Sequence, residues 1–188
     1  LLEILTDIDS VCRNNNIKYS LYAGTLIGAI RHKGFIPWDD DADIIFERKE
    51  YEKFLKVYPS EKRPEYFLKK ILWIQRVINA DSLDVDGVNP RVFVDILIFD
   101  NAPNNVFGHR IKVFLIKVLQ GMLKENIDYK KYSISGKILT FTTYILGKMF
   151  TKQCKLSLYD SISQWGHKKP TSLLGVYNTL FAYLNCSF

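Results

Sequence analysis

The sequence has little of what marks membrane spans, disulfide frameworks or zinc sites. No apolar run approaches the roughly 20 residues of a membrane-spanning helix, and the uncharged stretch 138–147 is far too short. The cysteines number three, Cys12, Cys154 and Cys186, and their wide spacing fits neither a zinc pattern nor a disulfide framework. We interpret them as small buried side chains and expect a reducing, cytoplasmic setting.

A start methionine and a basic, apolar leader are also missing, so we expect no signal peptide. Leu1, Leu5, Ile8 and Val11 are spaced as on one face of a helix from the first position onward. We therefore expect the sequence to begin inside a helix and to be truncated at its N-terminus.

Charge is distributed unevenly along a chain whose formal net charge is +6. Residues 106–156 carry ten lysines and arginines against Glu125 and Asp128, whereas four aspartates fall within residues 39–43. The acidic run predicts a cation site. The basic half indicates an anionic partner, such as acidic lipid headgroups, phosphorylated glycans or nucleic acid, or simply solvated helix faces.

Periodicity divides the chain into a mixed part, residues 1–105, and a basic helical part, residues 106–188, that we expect to be incomplete. A hydrophobic fraction of 47% excludes a disordered chain. In the first part the pattern predicts helices at 1–16, 26–30 and 49–58, the last ended by Pro59 and Pro64, and strands at 17–22, 42–46, 66–78 (one or two strands) and 92–99. Residues 101–105 are predicted to form a turn at the boundary.

Two aspartates stand at the start of one predicted strand, and a third interrupts a later one. Asp41 and Asp43 are two residues apart, so strand alternation places both carboxylates on one face. If the strand that carries Asp95 is a neighbour, three carboxylates converge. A cation relieves such repulsion, and oxygen ligands favour Mg²⁺ or Mn²⁺. The pattern is typical of phosphoryl or nucleotidyl transfer.

Gly24 and Thr25 open the short helix predicted at 26–30, where Thr25 is a candidate cap and backbone N–H groups can receive a phosphate. Arg31 and His32 follow in the loop. They are candidates to hold further phosphate oxygens, or they serve only the solubility of the loop.

The acidic run has two competing interpretations. Asp39, Asp41 and Asp43 fall at positions 1, 3 and 5 of an EF-hand calcium loop, with Glu50 at position 12, but Ile44 stands where that loop needs glycine. The run could also be a plain solvated turn, although four aspartates without a cation are costly to place together.

The stretch YAGTLIGAIRHKGFIPWDDDADI, residues 22–44, resembles the LicD family, which is related to the fukutin proteins. Residues 94–96 and 100–103 resemble the later aspartate strand of that family. The resemblance implies an α+β fold, the DNA polymerase β type of nucleotidyltransferase, in which helices flank a mixed sheet. By motif, Asp41 and Asp43 carry over as metal ligands, Asp95 as the third acid, and Gly24 with Thr25 as the turn that holds phosphate.

The resemblance also implies a reaction. Family members transfer a phosphorylated alcohol from a CDP-linked donor to a glycan hydroxyl. The bacterial members transfer phosphocholine from CDP-choline to teichoic acid or lipopolysaccharide sugars, and the fukutin relatives use CDP-ribitol. We expect Asp95 to serve as general base, in addition to its place in the metal site. The C-terminal motifs of the family have no counterpart here, so we expect truncation at that end as well.

Recognition of choline would need an aromatic cage and a counter-charge. Trp38 is a candidate for the cage, with Asp39 or Asp40 as the counter-charge, although Trp38 could equally be a packing residue. Trp73 is better interpreted as part of the core.

Other functions remain open at this point. The alternatives are a nucleotidyltransferase acting on a sugar phosphate or RNA, and an inactive truncated remnant that only binds. Nucleic-acid binding has weak support, because the basic half lacks interleaved aromatic residues. One predicted helix of the basic half is largely apolar and has a basic residue at every seventh position, namely Arg110, Lys117 and Lys124. This helix either packs in the core or lies on an anionic membrane. In the second case the contact is expected at the cytoplasmic face, where lipid-linked acceptors are assembled.

Overall fold

The computed structural model describes residues 1–84, 90–124, 133–166, 173–178 and 183–187. They belong to two units, Leu1–Phe99 and Asp100–Phe188. In chain order the first unit contains α1 (Leu2–Asn14), β1 (Ser20–Leu21), α2 (Ala23–His32), β2 (Asp43–Glu47), α3 (Arg48–Glu61), β3 (Tyr66–Ile71), β4 (Ile74–Asn79), a 3-10 turn (Ala80–Ser82) and β5 (Phe93–Asn101). The last two residues of β5, Asp100 and Asn101, belong to the second unit.

The strands of the first unit form one mixed sheet in the order β1-β2-β5-β4-β3. β2 and β5 are parallel, whereas β1 pairs antiparallel with β2, and β4 pairs antiparallel with both β3 and β5. This architecture confirms the predicted α+β class. The segment 66–78 forms two strands, β3 and β4, of a hairpin.

The core of the first unit is built from α1, α3 and the central strands. α1 contributes apolar side chains three and four residues apart, namely Ile4, Ile8, Val11 and Cys12. On α3 the rings of Phe54 and Tyr58 stack with centroids 4.6 Å apart. The buried Tyr58 hydroxyl donates to Asp7 Oδ2 at 2.7 Å, so the carboxylate inside the core has a hydrogen-bond partner.

The second unit contains α4 (Val106–Leu123), α5 (Ile134–Lys148), α6 (Lys152–Ser163), β6 (Leu173–Val176) and β7 (Tyr183–Ser187). α4 packs against both α5 and α6, and β6 pairs antiparallel with β7. Each helix begins at a capping side chain that accepts a hydrogen bond from a backbone N–H three residues ahead, namely Asn105, Ser133 and Thr151. Among the described helices, none has both the length and the apolar character needed to cross a membrane.

Two predicted helix boundaries were wrong. α2 begins at Ala23 and runs to His32, and its N-cap is Tyr22, so Thr25 lies inside the helix and does not cap it. α3 continues past Pro59 to Glu61. That proline removes one hydrogen bond, but Lys62 N–H still donates to the Tyr58 carbonyl and closes the final turn.

The expectations for the second half and for the cysteines also need correction. The second unit is not wholly helical, because β6 and β7 form a hairpin whose strands are too short to show a period in the sequence. Cys12 is buried as expected, but Cys154 is exposed in the first turn of α6. The side chain of Cys186 lies outside the described part of the structure.

Gly28 on α2 is expected to be indispensable for the packing of the following loop. A Cβ at this position would lie 2.6 Å from the Gly34 carbonyl oxygen and 3.0 Å from Ile36 N, which are backbone atoms. We predict that Gly28→Ala lowers the free energy of unfolding by about 1–3 kcal/mol, measured by urea denaturation. Gly34→Ala is the matched control, because a Cβ there meets nothing within 4 Å; equal stability of the two variants would contradict the prediction.

Candidate active site

Asp43 and Asp95 lie side by side, because they are direct register partners in the parallel pairing of β2 with β5. Asp95 N–H donates to the carbonyl of Ala42 at 2.8 Å, which fixes the register at this point. The next pair in the register, Ile44 and Ile96, is fully buried and anchors both strands in the core. The predicted adjacency of the two aspartate-bearing strands is therefore confirmed.

Asp41 belongs to a second grouping of acids just before β2. It lies outside the strand, so the alternation that was expected to align it with Asp43 does not apply. Within the described residues, one group of three acids has carboxylate oxygens that all lie within 4.8 Å of one another, and it consists of Asp39, Asp40 and Asp41. This group shares only Asp41 with the predicted set of Asp41, Asp43 and Asp95.

The acids influence one another electrostatically. Burial, together with the charges of Asp41 and Asp95, raises the pKa of Asp43 to about 7. Burial also raises the pKa of Asp41, assisted by the charges of Asp39 and Asp95. Keeping several carboxylates charged here is costly unless a cation offsets them. Their oxygens are the ligands that Mg²⁺ and Mn²⁺ prefer, so the donor set fits such an ion.

Arg76 on β4 is the cationic partner that the sequence did not reveal. It is the register partner of Asp95 on the side opposite β2. Arg76 Nε donates to Asp95 Oδ1 at 2.5 Å and Nη2 to Oδ2 at 3.2 Å, a two-point contact that fixes the orientation of the carboxylate. Burial raises the pKa of Asp95, and the contact with Arg76 opposes that rise. The alternation in 66–78 could have placed Arg76 on a sheet face, but not beside Asp95.

The start of α2 holds the acidic segment in place. The Thr25 hydroxyl accepts a hydrogen bond from Asp43 N–H at 2.8 Å, so this buried side chain positions the strand that carries Asp43. A Cβ on Gly24 would overlap Asp39 Oδ2, so the missing side chain leaves room for that carboxylate beside the first turn of α2. The structure thus gives both residues a role in positioning the aspartates.

The remaining predicted site residues lie at the C-terminal end of α2 and in the loop after it. Arg31 Nε contacts His32 Nδ1 at 3.3 Å, and the ring of His32 meets the indole of Trp38 edge-on, with centroids 6.2 Å apart. Trp38 is 79% exposed, which is unlike a packing residue, whereas Trp73 is 5% exposed and belongs to the core as expected.

The calcium-loop interpretation is wrong. Ile44 is a buried residue of β2, so the chain is extended where an EF-hand loop would turn. Glu50 lies on α3, where it accepts hydrogen bonds from Lys18 N–H and from Lys53 Nζ.

Comparisons with known proteins indicate the family. The sequence pattern of the LicD/FKTN/FKRP nucleotidyltransferase domain matches residues 16–120, which include Asp39, Asp40, Asp41, Asp43 and Asp95. The lipopolysaccharide cholinephosphotransferase LicD of Haemophilus influenzae is 39% identical over 113 residues, which cover 55% of this chain and 43% of that protein.

Two uncharacterised proteins are also similar. The one from Rickettsia typhi is 35% identical over 109 residues, which cover 57% of this chain and 35% of that protein. The one from Rickettsia prowazekii is 30% identical over 114 residues, which cover 57% and 41%. The similarity therefore spans less than half the length of these curated relatives.

Thr25 is expected to stabilise the fold through its hydroxyl. Thr25→Val keeps the shape of the side chain but leaves Asp43 N–H without its acceptor, so we predict a loss of about 1–2 kcal/mol in the free energy of unfolding. Chemical denaturation measures this loss. Thr25→Ser is the matched control because it retains the acceptor oxygen. A valine variant as stable as the wild type would show that the hydrogen bond contributes nothing.

Proposed function

Because the chain belongs to the LicD/FKTN/FKRP family of nucleotidyltransferase domains, we propose that it transfers a phosphorylated alcohol from a CDP-linked donor to a glycan hydroxyl. The most favoured alcohol is choline, carried by CDP-choline, because the similar protein of known name is a lipopolysaccharide cholinephosphotransferase. The proposed acceptor is a cell-surface glycan, lipopolysaccharide or teichoic acid, in a lipid-linked form that is reached from the cytoplasm.

The observation that carries this proposal is the register of β2 with β5. It places Asp43 against Asp95, next to the segment that holds Asp39, Asp40 and Asp41. We propose that Asp41, Asp43 and Asp95 hold Mg²⁺ or Mn²⁺, and that Asp39 and Asp40 border the same ion or the donor. When bound, such an ion would stabilise negative charge on the phosphoryl oxygens and on the departing CMP.

Asp95 is favoured as a ligand over the general-base role expected from the sequence. Both of its oxygens accept hydrogen bonds from Arg76, which hold the carboxylate in one orientation, so taking a proton from a hydroxyl would compete with these contacts. Each oxygen keeps a further lone pair, which leaves the carboxylate able to contact a cation. Arg76 therefore orients Asp95 and offsets part of the negative charge of its carboxylate.

We propose that the start of α2 receives a phosphate of the donor. The N-cap residue Tyr22 provides no side-chain cap, and the proposed cation would offset the charge of the Asp39 carboxylate that lies beside the first turn. An anion is favourable at this end of a helix. Arg31 and His32 are proposed to contact further donor oxygens, and Thr25 to support the turn.

The exposed indole of Trp38 is the proposed contact for the quaternary ammonium of choline. A cation over an indole face is stabilised by roughly 0.5–2 kcal/mol. Asp39 and Asp40 follow directly in the sequence and would add a counter-charge.

Transfer is expected to require a divalent ion. We predict that a chelator abolishes CMP release from CDP-choline in the presence of a glycan acceptor, and that added Mg²⁺ or Mn²⁺ restores it, because the carboxylates alone would repel the diphosphate. Chromatography of released CMP and of labelled choline on the acceptor measures the reaction. Full turnover in the presence of the chelator would contradict the proposed metal site.

Asp43→Asn is expected to lower the rate of CMP release roughly a hundredfold or more, because one metal-ligand charge is lost. The fold should remain at least as stable as the wild type, since the substitution removes a partly buried charge from a repelling group. Asp81→Asn, at an exposed aspartate of the 3-10 turn, is the matched control.

The products of the reaction also distinguish the proposed transferase from the two alternative functions. Nucleotide attached to the acceptor would indicate a nucleotidyltransferase, and binding of CDP-choline in calorimetry without turnover would indicate an inactive remnant. A wild-type rate in Asp43→Asn would remove the proposed role of this residue.

A further inference from the structure

The exposed face of α5 has an unusual composition. Four large apolar side chains recur every three or four residues and are all exposed, namely Ile134, Ile138, Phe141 and Ile145. At 3.6 residues per turn this spacing aligns them in one stripe, which we call the α5 stripe. A helix of a water-soluble domain normally turns such a stripe towards the core.

The opposite face of α5, packed against α4, is small and polar. Thr140 and Thr143 are buried there. A Cβ on Gly121 of α4 would overlap Thr143 Oγ1, and a Cβ on Gly147 would overlap the carbonyl of Met122. The two helices approach closely through small residues and turn large ones outward, an arrangement typical of helix pairs in lipid.

A basic cleft lies at the C-terminal ends of α4 and α5. It has a volume of about 310 Å³, and the described residues of its lining include Lys124, Lys148, Lys152 and Lys155 but no acidic residue. Lys155 Nζ donates to the carbonyls of Met122 and Gly147 at 3.0 and 3.1 Å, which fixes this lysine at the floor of the cleft. The four lysines in its lining give the cleft a positive charge, which favours an anion.

The charge of the surrounding helices also favours an anionic partner. The described segments 106–124 and 133–159 contain eight lysines and arginines and no aspartate or glutamate. An acidic peptide would match the lysines but not the apolar stripe, whereas a bilayer that contains anionic phospholipid offers both hydrocarbon and phosphate. Polybasic surfaces are attracted to such a membrane.

We propose that α4 and α5 form a membrane-docking hairpin. The α5 stripe lies in the interface of an anionic bilayer, parallel to its plane, and the basic cleft takes the phosphate of a lipid headgroup. This proposal goes beyond the transfer reaction and does not depend on it.

Co-sedimentation with lipid vesicles tests the proposal. The chain is expected to sediment with vesicles of phosphatidylglycerol and phosphatidylcholine, less with phosphatidylcholine alone, and less as salt increases. Ile138→Gln combined with Phe141→Gln should weaken binding to the anionic vesicles roughly tenfold or more, because apolar area is lost from the interface. Ile30→Gln is the matched control, since Ile30 on α2 is 67% exposed against 61% for Ile138.

A charge variant tests the cleft. Lys148→Gln with Lys152→Gln should weaken binding to anionic vesicles roughly tenfold. Lys49→Gln with Lys56→Gln, at two exposed lysines of α3, removes the same net charge and should leave binding close to that of the wild type. Equal losses in both double variants would show that only overall charge matters and would overturn the cleft.

A fluorescence measurement covers the case in which the glutamine variant fails to fold. Ile138→Trp should show a blue shift and quenching by brominated lipid on anionic vesicles, whereas Ile30→Trp should show neither. The proposal would be overturned if the wild type did not bind vesicles, or if a tryptophan at position 138 showed no blue shift. It would also be overturned if inorganic phosphate abolished vesicle binding while the Ile138→Gln, Phe141→Gln variant bound like the wild type. A wild-type dimer that the same double variant converts to a monomer would overturn it as well.

Discussion

The parallel pairing of β2 with β5 is the constraint on which the candidate site depends. It makes Asp43 and Asp95 register partners, and a slip of one residue would turn one strand's side chains to the opposite face of the sheet. The buried pair Ile44 and Ile96 opposes such a slip, because either side chain would leave the core. The apolar residues of these strands therefore fix the positions of the acids.

The cost of gathering acids is visible in the contacts around them. Arg76 binds both oxygens of Asp95, Thr25 accepts from the backbone of Asp43, and Gly24 leaves room for the Asp39 carboxylate. None of these contacts places a positive charge among Asp39, Asp40 and Asp41, each of which has one carboxylate oxygen within 4.8 Å of an oxygen of the other two. A divalent ion would supply that charge, which is why we propose one together with a diphosphate substrate.

In the second unit, helix packing reverses the usual burial of α5, whose polar face is buried and whose apolar face is exposed. Gly121 and Gly147 allow α4 and α5 to approach so closely that small and polar residues fill the contact. The large apolar side chains of α5 are then left on the outside. The basic and apolar character of this unit suits an anionic lipid surface, as the acidic character of the first unit suits a cation.

The sequence by itself determined the acidic run, the isolated Asp95, the extended character of 66–78, most of the helices and the family, because motifs and periodicity are local properties of the chain. The tertiary structure alone decided that Arg76 binds Asp95, that Thr25 supports Asp43 and does not cap α2, that β6 and β7 pair, and that the apolar stripe of α5 faces outward. Each of these features depends on a contact between residues distant in the sequence, or on which of two faces a helix buries. No local pattern encodes the partner, because strand pairing and helix packing are selected by the free energy of the whole unit.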